Sequence, residues 1–145
     1  MSDGDFQAVG TSDERMFGPR KIIVCGFSAE EQDTFGKMAA AVGMADMPLV
    51  FAGEGEADDA LGEIVDLPQG TGLGRASVLE RAVILSGLTE RELHAVMAGY
   101  RGMELPRTLW ATLTESSVTW PLSELLKELA AERAAFLRRQ SQDRP

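Results

Sequence analysis

Two stretches of the chain carry the same order of apolar and polar positions. Ile22-Ile23-Val24-Cys25 runs into Gly26, Phe27 and Ser28, with Glu31 three residues on; Ala82-Val83-Ile84-Leu85 runs through Gly87 and Leu88 into Thr89, with Glu92 three residues on. A short β-branched apolar run predicts a buried strand, and Ser or Thr followed at the third position by Glu is the capping box that opens a helix. Behind each box an apolar stripe recurs at i, i+3, i+4 and i+7: Phe35, Met38, Ala39 and Val42 in the first, Leu93, Val96, Met97 and Tyr100 in the second. That spacing places each set on one face of a helix. Extended apolar runs then resume at Pro48-Leu49-Val50-Phe51-Ala52 and at Thr108 to Leu113. The caps repeat at an offset of 61 (28 to 89) and the stripes at 58 (35 to 93), so the pattern predicts two β-α-β half-repeats, 21–52 and 81–113.

Between them the character changes. Glu54, Glu56, Asp58, Asp59, Glu63 and Asp66 are acids with no base among them, and Pro68 to Gly74 is rich in glycine, so 53–79 reads as a solvated, flexible connector with one or two helical turns within 57–64. A last helix, 120–138, opens at Thr119-Trp120-Pro121, where proline's missing N–H costs nothing. Its stripe is Leu122, Leu125, Leu126, Leu129, Phe136 and Leu137. Residues 1–20 read as a flexible arm, and 21–139 as one domain. The expected class is α+β: a ferredoxin-like sheet in which each parallel pair brackets a strand of the other unit, with both helices on one face and an extra C-terminal helix. An open, mostly parallel α/β sheet is the alternative.

Composition narrows the function classes. A chain of 145 residues with 44% hydrophobic content buries enough surface to fold without a staple. Its one cysteine, Cys25, excludes an internal disulfide and points to a reducing, cytoplasmic setting. A net charge of −9 works against nucleic-acid binding, and the N-terminal stretch has no continuous apolar segment that would act as a signal peptide or membrane span.

Few residues suggest chemistry. Gly70, Gly72, Gly74 and Arg75 form a glycine-rich loop of the kind whose N–H groups cradle phosphate, yet both the dinucleotide fingerprint and the Gly-Lys-Ser/Thr of a P-loop are missing, and a linker is the plainer reading. His94, with Glu90 one turn before it, makes an incomplete metal site and is expected to face solvent. Cys25 is expected to pack as a small apolar side chain. The acidic run lacks the register of a calcium loop. Thr114, Glu115, Ser117 and Trp120 lie in the loop after the fourth strand, where a rigid sheet would present binding residues. Trp110 and Trp120 could frame a pocket or anchor an interface, though Trp110 as core and Trp120 as stapling the last helix to the sheet is the plainer reading.

The segment Arg81 to Leu137 has a Gly-Leu-Thr turn, Leu-Pro before the fourth strand, and Thr114-Glu115 followed by Trp120 and Leu122-Ser123-Glu124-Leu125-Leu126. In these it resembles an uncharacterised bacterial family, domain of unknown function 3783. In that family an Asn often lies a few residues before the tryptophan, and here Ser116 or Ser117 stands there. The resemblance implies a fold and a bacterial cytoplasmic origin and no mechanism. The expectation for function is a non-enzymatic module binding an unknown protein or small molecule, without cofactor or metal. An edge strand left open could pair two copies into a homodimer. The alternative is an enzyme or sensor that takes a phosphorylated small molecule at the Gly70–Gly74 loop.

Overall fold

The computed structural model describes residues 14–142. Its elements are β1 (Lys21–Cys25), α1 (Ala29–Ala41), β2 (Leu49–Ala52), a 3-10 turn (Glu54–Glu56), α2 (Leu61–Ile64), β3 (Ala82–Ser86), α3 (Glu90–Arg101), β4 (Leu109–Thr112), a second 3-10 turn (Ser117–Thr119) and α4 (Leu122–Gln142). Along a strand, successive side chains leave opposite faces. Ile22 and Val24 of β1 therefore join Val83 and Leu85 of β3 in a core with Phe27, Phe35, Met38, Val96 and Tyr100, beneath α1 and α3. Ile23, Cys25, Ala82 and Ile84 face the other way, against Leu61, Ile64 and Val65 of the connector and Leu122, Leu125 and Leu126 of α4. The result is a sheet with helices on both sides.

Both capping boxes form. Ser28 N–H donates to the Glu31 carboxylate at 2.9 Å while Glu31 N–H donates to Ser28 Oγ at 3.2 Å; at Thr89 and Glu92 the same two bonds are 3.0 and 3.1 Å. Each cap glutamate also reaches into the other half. Arg81, just before β3, donates to Glu31 at 2.8 Å, and Arg20, just before β1, donates to Glu92 at 2.6 Å. The Arg81 guanidinium lies 4.5 Å from the centre of the Phe27 ring, a cation–π contact.

The strand order is β2-β1-β3-β4. β1 pairs parallel with β2, β3 parallel with β4, and β1 antiparallel with β3 through Ile23↔Ile84. The class is thus mixed α and β, with α1 and α3 together on one face as expected, but the ferredoxin-like interleaving is absent: each parallel pair is adjacent, with no strand inserted. The cause lies in the connector. An interleaved sheet would set β2 beside β3, close to a hairpin. Here the chain leaving β2 instead passes over the second face, burying Leu61, Ile64 and Val65, before it enters β3 on the far side of β1.

The connector is accordingly part of the fold. Its acids Glu54, Asp58, Glu63 and Asp66 are exposed as read, while the apolar residues between them are buried. Ile64 ends a helical turn that Val65 caps. Along the outer edge of β2, Gly70 N–H donates to Leu49 O and Phe51 N–H to Thr71 O, both at 2.8 Å. Near the other terminus, α4 begins on the connector's carbonyls: Leu122 N–H donates to Asp59 O and Ser123 N–H to Ala57 O, which satisfies donors that every helix start leaves open. The last part of the expected arm is docked too. Met16 N–H donates to Leu88 O and Gly87 N–H to Phe17 O; residues 1–13 lie outside the described residues. Finally, α4 outruns the sheet, leaving Phe136 and Leu137 about half exposed in place of the buried stripe expected of them.

The Glu31 carboxylate is held below its ordinary value by the Ser28 N–H and then by Arg81, and that of Glu92 by Arg20 and then by the Thr89 N–H, in each case against desolvation. A depressed carboxylate contributes stability that is full above its unfolded pKa, near 4.5, and is lost as pH falls through the lower folded value. The thermal midpoint should therefore drop as pH falls below about 4.5, and a Glu31→Gln/Glu92→Gln double variant should start lower at neutral pH and fall less steeply. Parallel melting curves of the two proteins against pH check this.

Candidate functional site

In the Gly70–Gly74 loop, positive φ at Gly70, Gly72 and Gly74 (86, 82 and 89°) explains the glycines as backbone requirements. Of the N–H groups from Gly70 to Gly74, four donate within the fold: Gly70 to Leu49 O, Thr71 to Pro68 O, Leu73 to Gly70 O, and Gly74 to the Gln32 side chain at 2.8 Å. The Gln32 amide, buried on α1, returns a bond to Arg75 O at 2.7 Å and so clasps the loop from both sides. A pocket of about 60 Å³ beside Gly72 and Arg75 has Glu54 and Glu56 in its wall. Inward-pointing donors and two carboxylates are a poor setting for phosphate, and nothing in the geometry favours that reading over a structural one. Gln32 was illegible in the sequence, because a glutamine between Glu31 and Asp33 on a helix signals nothing.

Thr114 and Ser117 come together, as a turn. Thr114 N–H donates to Ser117 Oγ at 3.1 Å and Ser117 N–H to Thr114 Oγ1 at 3.0 Å, with Ser117 buried. Glu115 is exposed. Trp120 is half-buried against the second core, and its C=O accepts from Leu61 N–H at 2.9 Å, so it joins α2 to the start of α4. Thr114 and Ser117 thus close the turn and Trp120 ties the connector to the start of α4, while Glu115 takes no part. Cys25 is fully buried, which pushes its thiol up to about 12 and removes the thiolate a nucleophile needs. His94 is exposed, and among the described residues no group of three or more His, Cys, Asp or Glu is arranged to hold a metal ion.

The surface that does stand out runs along β4. This strand is the free end of the sheet. Leu109 N–H donates to Arg81 O and Leu113 N–H to Leu85 O, so the odd-numbered residues turn to β3. In a parallel ladder the alternate residues then turn their N–H and C=O outward, here Trp110 and Thr112. Beside that edge Leu93, Met97, Met103, Leu105 and Trp110 are half-buried where core residues would be covered. Together with Tyr100, which meets the Trp110 ring edge-on at 5.5 Å, they line an open trough of about 540 Å³ that continues along β4 past Leu93 and Thr112.

One end of the trough is basic. Arg101, Arg107 and Arg133 lie in its wall, and Arg107 and Arg133 continue with Arg81 and a single acid, Glu80, around a smaller pocket of about 80 Å³. Ion pairs join Arg20 to Glu92, Lys37 to Asp33 and Arg81 to Glu31, and among the described residues none pairs a carboxylate with Arg101, Arg107 or Arg133. The apolar stripe of the second helix already named Leu93, Met97 and Tyr100. What the sequence withheld was that no other described segment would lie over them beside the β4 edge.

The model of the family described as Domain of unknown function (DUF3783) matches residues 81–136. This segment starts at Arg81, carries β3, α3 and β4 with the whole trough, and stops within α4. No curated protein and no solved structure gives a significant match.

Substituting the loop glycines separates a structural role from a ligand-cradling one. At Gly72 a Cβ would sit 2.0 Å from Phe51 O, whereas at Gly70 it would meet nothing within 4 Å. Gly70→Ala should cost only the left-handed torsion, about 1–2 kcal/mol, and Gly72→Ala clearly more, read from denaturant midpoints. Equal, small losses at both would show the loop to be loosely held.

Proposed function

We propose that this chain is a non-enzymatic protein-interaction module whose working surface is the open edge of β4 with its apolar trough. The observation that carries the proposal is the contrast between the two ends of one sheet. The β2 edge is closed by hydrogen bonds from residues 70–71, whereas among the described residues no strand or loop is hydrogen-bonded along the outer side of β4. An exposed edge beside apolar side chains is what an extended segment of another chain pairs with: backbone bonds give affinity and the trough gives selectivity. No helix of the described residues is long and apolar enough to cross a membrane. As part of the same proposal the module works in a reducing bacterial cytoplasm, for which a single buried thiol is suited.

Thr112→Pro tests the edge directly. It deletes an N–H that points away from β3, at a position where an edge strand tolerates proline. Proteins retained from a lysate of the source cells by the immobilised chain should be lost on Thr112→Pro, while circular dichroism stays that of the parent. Retention of the same proteins by both forms would rule out β4 as the docking edge.

A further inference from the structure

Taking the β4 edge as the docking surface, we infer that its occupant is an extended, acidic segment of a partner protein, which adds a fifth strand to the sheet with its carboxylates at Arg101, Arg107 and Arg133. The backbone supplies the first half of this. Trp110 and Thr112 present outward N–H and C=O groups, and a chain paired to them sends alternate side chains to the trough side, where Leu93, Met97 and Trp110 lie. Apolar residues at every second position would seat there.

Charge supplies the second half. The chain carries −9 overall with 14 basic residues against 23 acidic ones, so an arginine here has carboxylates to choose from. Even so, among the described residues none of the three guanidinium groups at this end of the trough has a carboxylate in ion-pair contact. Arginine's fork suits carboxylate, and a pair formed at a partly desolvated edge fixes orientation and register. A second copy matches this less well. In antiparallel pairing centred on Ala111, Arg107 of one copy faces Glu115 of the other, which offers one carboxylate to three guanidinium groups.

The probe is a short blocked peptide with consecutive Glu residues at one end and Leu alternating with Ser along the rest, fluorescently labelled, with the same peptide carrying Lys in place of Glu as control, titrated into the full chain by anisotropy. The Glu peptide should bind about tenfold or more tighter than the control, as expected where several charge pairs contribute. An Arg101→Glu/Arg107→Glu/Arg133→Glu variant should invert that preference, and Thr112→Pro or Met97→Glu should weaken both peptides. Met97 is half-buried on the surface of α3, so its variant remains informative if the proline disturbs the strand. The inference is overturned if the wild-type chain binds both peptides equally, if the triple variant keeps its affinity for the Glu peptide, or if neither peptide binds. In that last case sedimentation showing a dimer that Thr112→Pro dissolves would identify a second copy as occupant. A preference for the Lys peptide that Thr112→Pro abolishes would likewise overturn the acidic partner and leave β4 standing as a docking edge. Lysate partners indifferent to Thr112→Pro would instead remove the edge itself.

Discussion

The antiparallel pairing of β1 with β3 is the constraint on which the rest depends. Every residue of both strands is buried, so each strand needs partners on both sides and cover on both faces. Each already has its parallel neighbour, delivered by the helix that follows it. Joining the halves across β1 and β3 supplies the missing side. It also sets the start of each strand beside the helix cap of the other half, which is where Arg20 meets Glu92 and Arg81 meets Glu31. Rotation about an axis normal to the sheet relates the halves approximately, and crossovers of the same hand then leave α1 and α3 on one face.

From that pairing it follows that β2 and β4 are the edges, and the chain treats them differently. The long connector begins at β2, so it is at hand to close that edge and to bury its own apolar residues on the second face. The segment after β4 turns at once, through the Thr114–Ser117 pair, into a helix that crosses the second face and runs beyond it. None of the described residues pairs with the outer side of β4. The open edge is therefore a result of connectivity, and the half-exposed Leu93, Met97 and Trp110 are its side-chain signature.

What was legible in the sequence was local. Strand runs, both capping boxes, both helical stripes and the buried Cys25 rest on rules that span a few residues, and all of them hold. The order of strands was not legible, because β1 and β3 are central in the interleaved and in the observed sheet alike; a period of two fixes which face a residue takes and says nothing of which strand lies beside it. The connector misled because its acids dominate its composition while Leu61, Ile64 and Val65 carry its packing. Thr114 to Trp120 drew attention as a loop on a rigid sheet, yet its polar groups bond to one another and to the connector. The trough and its arginines come from α3, the approach to β4 and α4, and only the tertiary fold assembles them.

The same β1–β3 contact has a consequence for synthesis. Cys25 pairs with Ala82 and Lys21 with Ser86, so β1 is made some sixty residues ahead of its partner. At typical rates of 5–20 residues per second that is roughly 3–12 s. Through this interval the first unit can close on β2, but its inner edge, one of the most apolar in the chain, stays unpaired beside the ribosome. The acidic connector is translated in the second half of this interval, after β2. A solubilising charge block thus emerges in the period when the nascent chain has most need of it.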